Sequence, residues 1–243
     1  DISECLVGSE MCIRDRNNEG QPAFGPAYKI IEAQGVKIGI VGFLTQYIPH
    51  WEKPSIIKDL TFQSILTTAK DILPDLRQSV DLLIVAYHGG FERDLQTGLP
   101  TESLTGENEA YQLVEEYKDY IDALVTGHQH REIADHLFGV PVIQPGYRGA
   151  FVGEIELELD NHKKVVASNA RLHKTENCKV SSEVNQLISV ASEEAEDWLD
   201  QPMGEVHGEM IIRDPMTARL IEHPYIELIN KIQMEATGPK HLS

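Results

Sequence analysis

Residues 81–90 read DLLIVAYHGG and residues 121–130 read IDALVTGHQH, and these two segments decide the fold. Each is a short, nearly continuous apolar run, which is typical of a strand buried on both faces of a parallel sheet. Each run leads directly into glycine and histidine. Open α/β sheets place their functional sites at the carboxyl ends of strands, so both segments predict a site at one edge of a sheet.

The sequence before and between these segments completes an alternating pattern. Further elements are predicted as strands at 28–32 and 36–44 and helices at 62–79 and 107–118. Pro74 should bend or split the first helix, because proline lacks the amide hydrogen that the helix needs. The alternation of strand and helix predicts an α/β domain built of layers.

The pattern changes after residue 139. Residues 140–144, 151–159 and 164–172 alternate or run apolar between short turns, which predicts antiparallel sheet with a hairpin at Asp160-Asn161. An acidic amphipathic helix is predicted at 181–199, and another helix at 221–237.

Composition limits the classes of function. The 243 residues hold 21 Lys+Arg and 39 Asp+Glu, a net charge of -18, which argues against non-specific binding to a nucleic-acid polymer or an anionic membrane. No apolar run is long enough to predict a membrane span. Cys5, Cys12 and Cys178 are too few and too scattered to predict a disulfide framework or a cysteine zinc site.

The first sixteen residues, DISECLVGSEMCIRDR, show neither strand alternation nor a helical period, and they lack the regions of a signal peptide. The string resembles a translated sequencing adapter, so we expect residues 1–16 to be non-native; the alternative is a genuine disordered leader. We expect the rest to divide into the C-terminal part of one domain at 17–175, a linker helix at 176–203 and the truncated start of a second domain at 204–243.

Three histidines are the candidate metal ligands: His88, His128 and His130. In extended backbone His128 and His130 would point to the same side, and neutral imidazole suits Zn²⁺, Mn²⁺ and Fe. A single histidine after a strand is usually a hydrogen-bonded loop residue, but two such loops in consecutive β-units favour a metal site. A two-metal site needs roughly seven or eight ligands, including a bridging carboxylate, so three histidines give part of one.

The motifs together resemble a known family. Residues Tyr28 to Asp160 resemble the calcineurin-like metallophosphoesterase domain of bacterial 5'-nucleotidases and 2',3'-cyclic-nucleotide phosphodiesterase/3'-nucleotidases. The matching motifs are VKIGIVG at 36–42, the Trp51 loop, DLLIVAYHGG, GENE at 106–109, VTGHQH and VPVIQPG at 140–146. Residues 223–238 resemble the opening of the family's C-terminal nucleotide-specificity domain. The resemblance implies a layered metallophosphoesterase sandwich, of which the chain holds the C-terminal half.

The resemblance also implies roles for residues. His88 and His128 would bind one divalent ion and His130 another, the ions being Mn, Zn, Fe or Co, and a metal-activated water would attack phosphorus. The family's Asp-x-His, Gly-Asp and Gly-Asn-His-Glu motifs are absent, so we expect the catalytic residues upstream and none in this chain. Asn108 and Arg148 are the candidate substrate contacts. Glu107 is interpreted as a carboxylate in the first turn of a helix rather than a ligand.

The sequence thus predicts a fragment of a nucleotide phosphohydrolase with negligible activity by itself. The alternative is a metal-free binding or structural module that has lost its other ligands; the three retained histidines favour the enzyme. A thiosulfate-cycle hydrolase of the same superfamily is a further alternative, and the Tyr47-to-Trp51 loop and the 223–238 segment favour nucleotides over it. The resemblance favours an extracytoplasmic location over a cytoplasmic one and says nothing of oligomeric state.

Overall fold

The computed structural model describes residues 26–205 and 208–238. The prediction for residues 1–16 therefore lies outside the described residues. The chain divides into two compact units, the first ending at Cys178 and the second beginning at Lys179.

The first unit contains eight strands, three α-helices and one 3-10 helix, Ile48–His50, among its described residues. The strands are β1 Tyr28–Ala33, β2 Val36–Leu44, β3 Leu82–His88, β4 Ala123–Thr126, β5 Glu132–Leu137, β6 Val140–Pro145, β7 Phe151–Leu159 and β8 Val165–Lys174. The α-helices are α1 Pro54–Ile57, α2 Ile65–Ser79 and α3 Ala110–Tyr117.

Six of the strands form one mixed sheet in the order β1-β2-β3-β4-β6-β5. Strands β2, β3, β4 and β6 are parallel to one another. The outermost strands run antiparallel to their neighbours, β1 to β2 and β5 to β6. The predicted α/β class is confirmed. The prediction for residues 140–144 is wrong in one respect, because β6 joins this sheet rather than the β7–β8 hairpin. The cause is β5, a strand that the sequence did not predict; it turns into β6 through Phe138 and Gly139, which both have positive φ.

The side chains of the central strands alternate between two apolar layers. Val41, Leu83 and Val85 face the buried core formed with α2 and α3. Ile40 and Leu82 face the other way, toward partly buried apolar residues of the β7–β8 hairpin. The continuous apolar runs of β2 and β3 thus arise because both faces of the sheet are covered.

Helix α2 runs without interruption through Pro74. The proline therefore does not split the helix, which was one of the two predicted outcomes. It begins after Ser64, whose hydroxyl accepts a hydrogen bond from the Leu66 amide. Leu73 and Leu76, on either side of the proline, are buried in the core. Burial of two leucines contributes about 3–6 kcal/mol, which offsets the roughly 3 kcal/mol that an internal proline costs.

The second unit contains three helices among its described residues: α4 Ser182–Leu199, α5 Thr217–Leu220 and α6 Pro224–Thr237. Helix α4 begins as predicted, with the Ser181 hydroxyl accepting from the Val184 amide. Helix α6 begins three residues later than predicted, because His223 caps it and Pro224 opens it. Through residues 26–205 and 208–238, no helix combines the length and apolar character that crossing a membrane requires.

Asp122 ties the helical layer to the sheet. Its Oδ2 accepts from Arg77 Nη1 of α2 at 2.5 Å and from the Leu83 amide of β3 at 2.7 Å. Both charged side chains are mostly buried. The aspartate is therefore a structural link, in agreement with its position directly before a strand.

We expect Asp122→Ala to lower the stability of the first unit by about 2 kcal/mol, because it leaves the Arg77 charge and the Leu83 amide without their acceptor. Native-state hydrogen exchange of the β3 amides measures the change. Exposed Asp119 provides the matched control, and equal protection in Asp122→Ala and Asp119→Ala would contradict the assignment.

Candidate active site

The carboxyl ends of β2, β3 and β4 lie side by side. Leu44 pairs with His88, and the Thr45 amide donates to the His88 carbonyl at 3.2 Å. The Gly127 amide donates to the Gly89 carbonyl at 3.2 Å. The two histidine loops are therefore joined directly, as their positions after neighbouring parallel strands predicted.

Two glycines allow this close approach. A Cβ added at Gly89 would lie 2.0 Å from the ring of Tyr87, and one at Gly90 would lie 2.1 Å from the side chain of Gln129. The Gln129 amide group in turn accepts from the Phe91 amide at 2.9 Å and donates to the Phe91 carbonyl at 3.0 Å. Gln129 thus fixes the loop after β4 onto the loop after β3.

His88 and His128 come together at this edge, with ring centroids 5.5 Å apart and planes tilted by 59°. Desolvation lowers the pKa of the His88 imidazole, and the nearby His128 and His130 lower it further. A lowered pKa keeps the His88 ring neutral near pH 7, which is the form that binds metal ions.

The ring of His130 stacks on Tyr147 at 5.2 Å, with the planes 14° apart. His128 and His130 have φ of 67° and 59°, so neither has the extended backbone on which their predicted common orientation depended. Left-handed backbone costs a non-glycine residue roughly 1–2 kcal/mol and is found preferentially at functional sites.

Glu107 differs from its sequence interpretation as a carboxylate in the first turn of a helix. Helix α3 begins at Ala110, so Glu107 precedes it. The Oε1 atom of Glu107 lies 2.9 Å from His128 Nε2. The carboxylate therefore lies at the candidate site, and its predicted place in the first turn of the helix is wrong. That Glu107 is not a metal ligand stays a prediction.

Glu92 supplies the carboxylate that caps α3. Its two oxygens accept from the Tyr111 amide at 3.0 Å and from the Gln112 amide at 2.9 Å. No pattern in the sequence marked this residue, because it lies in the loop after β3 and meets the helix only through the tertiary fold.

The two candidate substrate contacts lie in different surroundings. Asn108 is buried, accepts from the Gly90 amide at 2.6 Å and donates to Glu102 at 2.8 Å, so its amide group is occupied by protein partners. Arg148 is exposed in left-handed backbone, with its guanidinium 5.4 Å from the centre of the Tyr147 ring. Arg148 therefore lies beside the aromatic ring on which His130 stacks, while Asn108 supports the loop after β3.

The loop after β2 adds aromatic rings to the site. Trp51 stacks against His128 with ring centroids 5.5 Å apart and planes 29° apart. Tyr47 stacks on His50 at 3.7 Å and lies 5.5 Å from Trp51. The Trp51 loop, which is one of the motifs that carry the family resemblance, therefore covers one face of the His128 ring.

The donor chemistry fits a metal ion, but the described donors are too few. Imidazole nitrogens, such as those of His88 and His128, suit Zn²⁺, Mn²⁺ or Fe. Within residues 26–205 and 208–238, no three His, Cys, Asp or Glu side chains converge closely enough to hold an ion. The histidine pair therefore fits as part of a larger ligand set.

Comparisons with known proteins show which proteins resemble this chain. No protein-family model matches the chain. The chain is 31% identical over 143 residues to the 2',3'-cyclic-nucleotide 2'-phosphodiesterase/3'-nucleotidase of Salmonella typhimurium, a match that covers 53% of this chain and 21% of that protein. It is 24% identical over 220 residues to the trifunctional nucleotide phosphoesterase protein YfkN of Bacillus subtilis, covering 82% of this chain and 14% of that protein.

Two solved structures share the fold. A Staphylococcus aureus protein described as a putative 5'-nucleotidase matches with a TM-score of 0.83 and 34% identity, over 93% of this chain and 44% of that one. The calcineurin-like phosphoesterase YfkN from Bacillus subtilis matches with a TM-score of 0.66 and 23% identity, over 78% of this chain and 63% of that one. The resemblance predicted from the motifs is confirmed: the relatives are nucleotidases, cyclic-nucleotide phosphodiesterases and calcineurin-like phosphoesterases.

We expect Gly89→Ala to destabilise the first unit by about 1–3 kcal/mol, because the new methyl group collides with the buried Tyr87 ring. Gly127→Ala is the matched control, since its Cβ would lie 3.5 Å from His88 Nδ1, an ordinary contact. Hydrogen exchange of the β3 amides measures both variants. Equal losses of protection in the two would contradict the close-approach argument.

A second prediction concerns pH and Glu92. Burial raises the pKa of this carboxyl group, so the folded chain holds its proton more tightly than the unfolded chain. The resulting stability is fully present below the unfolded pKa of about 4.3 and is lost as pH rises through the folded pKa. We therefore expect the stability of wild type relative to Glu92→Gln to increase as pH falls from neutral toward that value.

Hydrogen exchange of the α3 amides over a pH series, corrected for intrinsic exchange, measures this difference. Glu115→Gln, at an exposed position of the same helix, is the control. The prediction is contradicted if the stability advantage of wild type stays constant with pH or grows toward neutral pH. Burial would then not be the main influence on the pKa of Glu92.

Proposed function

We propose that this chain is the C-terminal half of the catalytic domain of a metal-dependent phosphoric ester hydrolase that acts on nucleotides. The observation that carries the proposal is the convergence of His88 and His128 at adjoining strand ends. The names of the relatives supply the substrate class.

In this proposal the histidines hold metal ions and transfer no protons. His88 and His128 would bind one divalent ion, and His130 would bind a second. Bound divalent ions polarise a phosphoryl oxygen and lower the pKa of a coordinated water. Gln129 fixes the loop between the two ligand positions, because its side chain is bonded to both the amide and the carbonyl of Phe91.

The remaining ligands and the catalytic groups belong, in this proposal, to a part of the protein that precedes the chain. The chain spans 21% of the Salmonella enzyme and 44% of the Staphylococcus chain, so the proposal concerns a longer protein. Residues 17–175 would be the C-terminal part of the catalytic domain, 176–203 a linker helix and 204–243 the start of a nucleotide-specificity domain. An extracytoplasmic location is part of the same proposal.

The test uses the longest product of the gene that encodes this chain. We expect Mn²⁺- or Zn²⁺-dependent hydrolysis of AMP, 3'-AMP or 2',3'-cyclic AMP that stops on chelation. His88→Ala and His128→Ala should each lower kcat/KM by at least about 100-fold, because each removes a metal ligand. His136→Ala is the matched control, since this exposed histidine of β5 is bonded to Ser168 of β8.

The competing hypothesis is a metal-free binding or structural module. It would be favoured if the longest gene product bound no divalent ion and hydrolysed none of these nucleotides. The 243-residue chain assayed by itself should show negligible hydrolysis, and robust Mn²⁺-dependent activity from it would contradict the division of the site between two parts of the protein.

A further inference from the structure

Glu107 lies beside His128 and has no part in the proposed ligand set. Its Oε1 lies 2.9 Å from His128 Nε2, and both side chains are about a quarter to a third exposed, at 33% and 23%. The contact joins segments 21 residues apart in sequence. It is therefore a tertiary contact rather than a consequence of local chain geometry.

The backbone of Glu107 is held by two buried hydroxyl groups. Thr45 Oγ1 donates to the Glu107 carbonyl at 2.6 Å, and the Tyr87 hydroxyl donates to the same oxygen at 3.2 Å. Thr45 is 1% exposed and Tyr87 is fully buried. Because these donors lie at the ends of β2 and β3, the sheet itself sets the position of Glu107.

The neighbours of Glu107 are fixed as well. Gly106 has φ of +80°, a left-handed backbone conformation that favours glycine. Asn108 is bonded on both sides of its amide group, to Gly90 and to Glu102. Anchors on both sides of Glu107 thus restrict the direction in which its carboxylate can point.

We propose that Glu107 is a positioning residue that accepts the Nε2–H of His128 and thereby leaves Nδ1 as the nitrogen that binds the metal ion. A carboxylate on one imidazole nitrogen fixes the tautomer and the ring orientation of a histidine ligand. Trp51, stacked on the same ring, restricts rotation from the side. The metal part of this inference rests on the proposed function; the orientation of His128 does not.

The first experiment measures the tautomer in the metal-free chain by long-range ¹H–¹⁵N spectra at about pH 8, where ordinary imidazoles are neutral. His128 should carry its proton on Nε2 in wild type. Glu107→Ala should lose this preference, while Glu107→Gln should keep it, because the amide oxygen can still accept a hydrogen bond from Nε2–H. A His128→Gln spectrum identifies the signal.

Exposed Glu115 provides the control for the loss of one negative charge, and Glu115→Ala should leave the His128 signals unchanged. The proposal is overturned if His128 carries its proton on Nδ1 in wild type, or if Glu107→Ala and wild type give the same His128 tautomer. If Glu107→Gln keeps the wild-type tautomer, the change in Glu107→Ala comes from the lost acceptor. A general loss of structure is then not its cause.

The second experiment measures Zn²⁺ binding to the longest product of the gene by calorimetry, because the chain holds only part of the proposed ligand set. It counts only the component that His128→Ala removes. Glu107→Ala should weaken that component by about 10–100-fold, Glu107→Gln should weaken it less, and Glu115→Ala should leave it unchanged. Equal affinity in Glu107→Ala and wild type overturns the positioning role. If wild type shows no such component, the proposed function and the metal role of Glu107 fail together, while the tautomer result still decides whether Glu107 orients His128.

Discussion

The parallel pairing of β2, β3 and β4 is the constraint on which the rest of this structure depends. In-register pairing places Leu44 beside His88 and Tyr87 beside Thr126, so all three strands leave the sheet at the same edge. The apolar layers on both faces hold the strands in place, because side chains of β2 and β3 pack into a buried cluster on each side of the sheet. The position of the histidines is therefore a result of core packing.

At the strand ends, hydrogen bonds rather than apolar contacts hold the loops in place. The loops after β3 and β4 approach so closely that a side chain at position 89 or 90 would collide with its neighbours. Gln129 and Asn108 then satisfy backbone groups that have no strand partner, namely those of Phe91 and Gly90. Buried polar groups with all their partners made are rigid, and such rigidity is what a set of metal ligands needs.

The sequence predicted what short-range patterns determine. The runs of β2, β3 and β4, the convergence of loops at their carboxyl ends and the cap at Ser181 all follow from periodicity and local chemistry. The pairing of β6 with β4 was missed because it depends on β5, whose side chains alternate only weakly. Glu107 was misinterpreted for a similar reason: its partner His128 is 21 residues away, and helix capping by Glu92 comes from a separate loop. The orientation of His130 depends on its left-handed backbone conformation. The sequence does not predict that conformation, because only a minority of histidines adopt it.

Under the proposed function, the negative charge around the site bears on whether metal ions or substrate bind first. Glu102, Glu107 and His128 line one cleft together with the cationic side chain of Arg131, in a chain of net charge -18. A negative potential favours divalent cations and disfavours a nucleotide phosphate at long range. Under the proposed function, bound cations would have to reverse the local potential before a phosphorylated substrate could approach. Metal binding therefore precedes substrate binding in this scheme, and a carboxylate that orients a ligand also helps to attract the ion that the ligand holds.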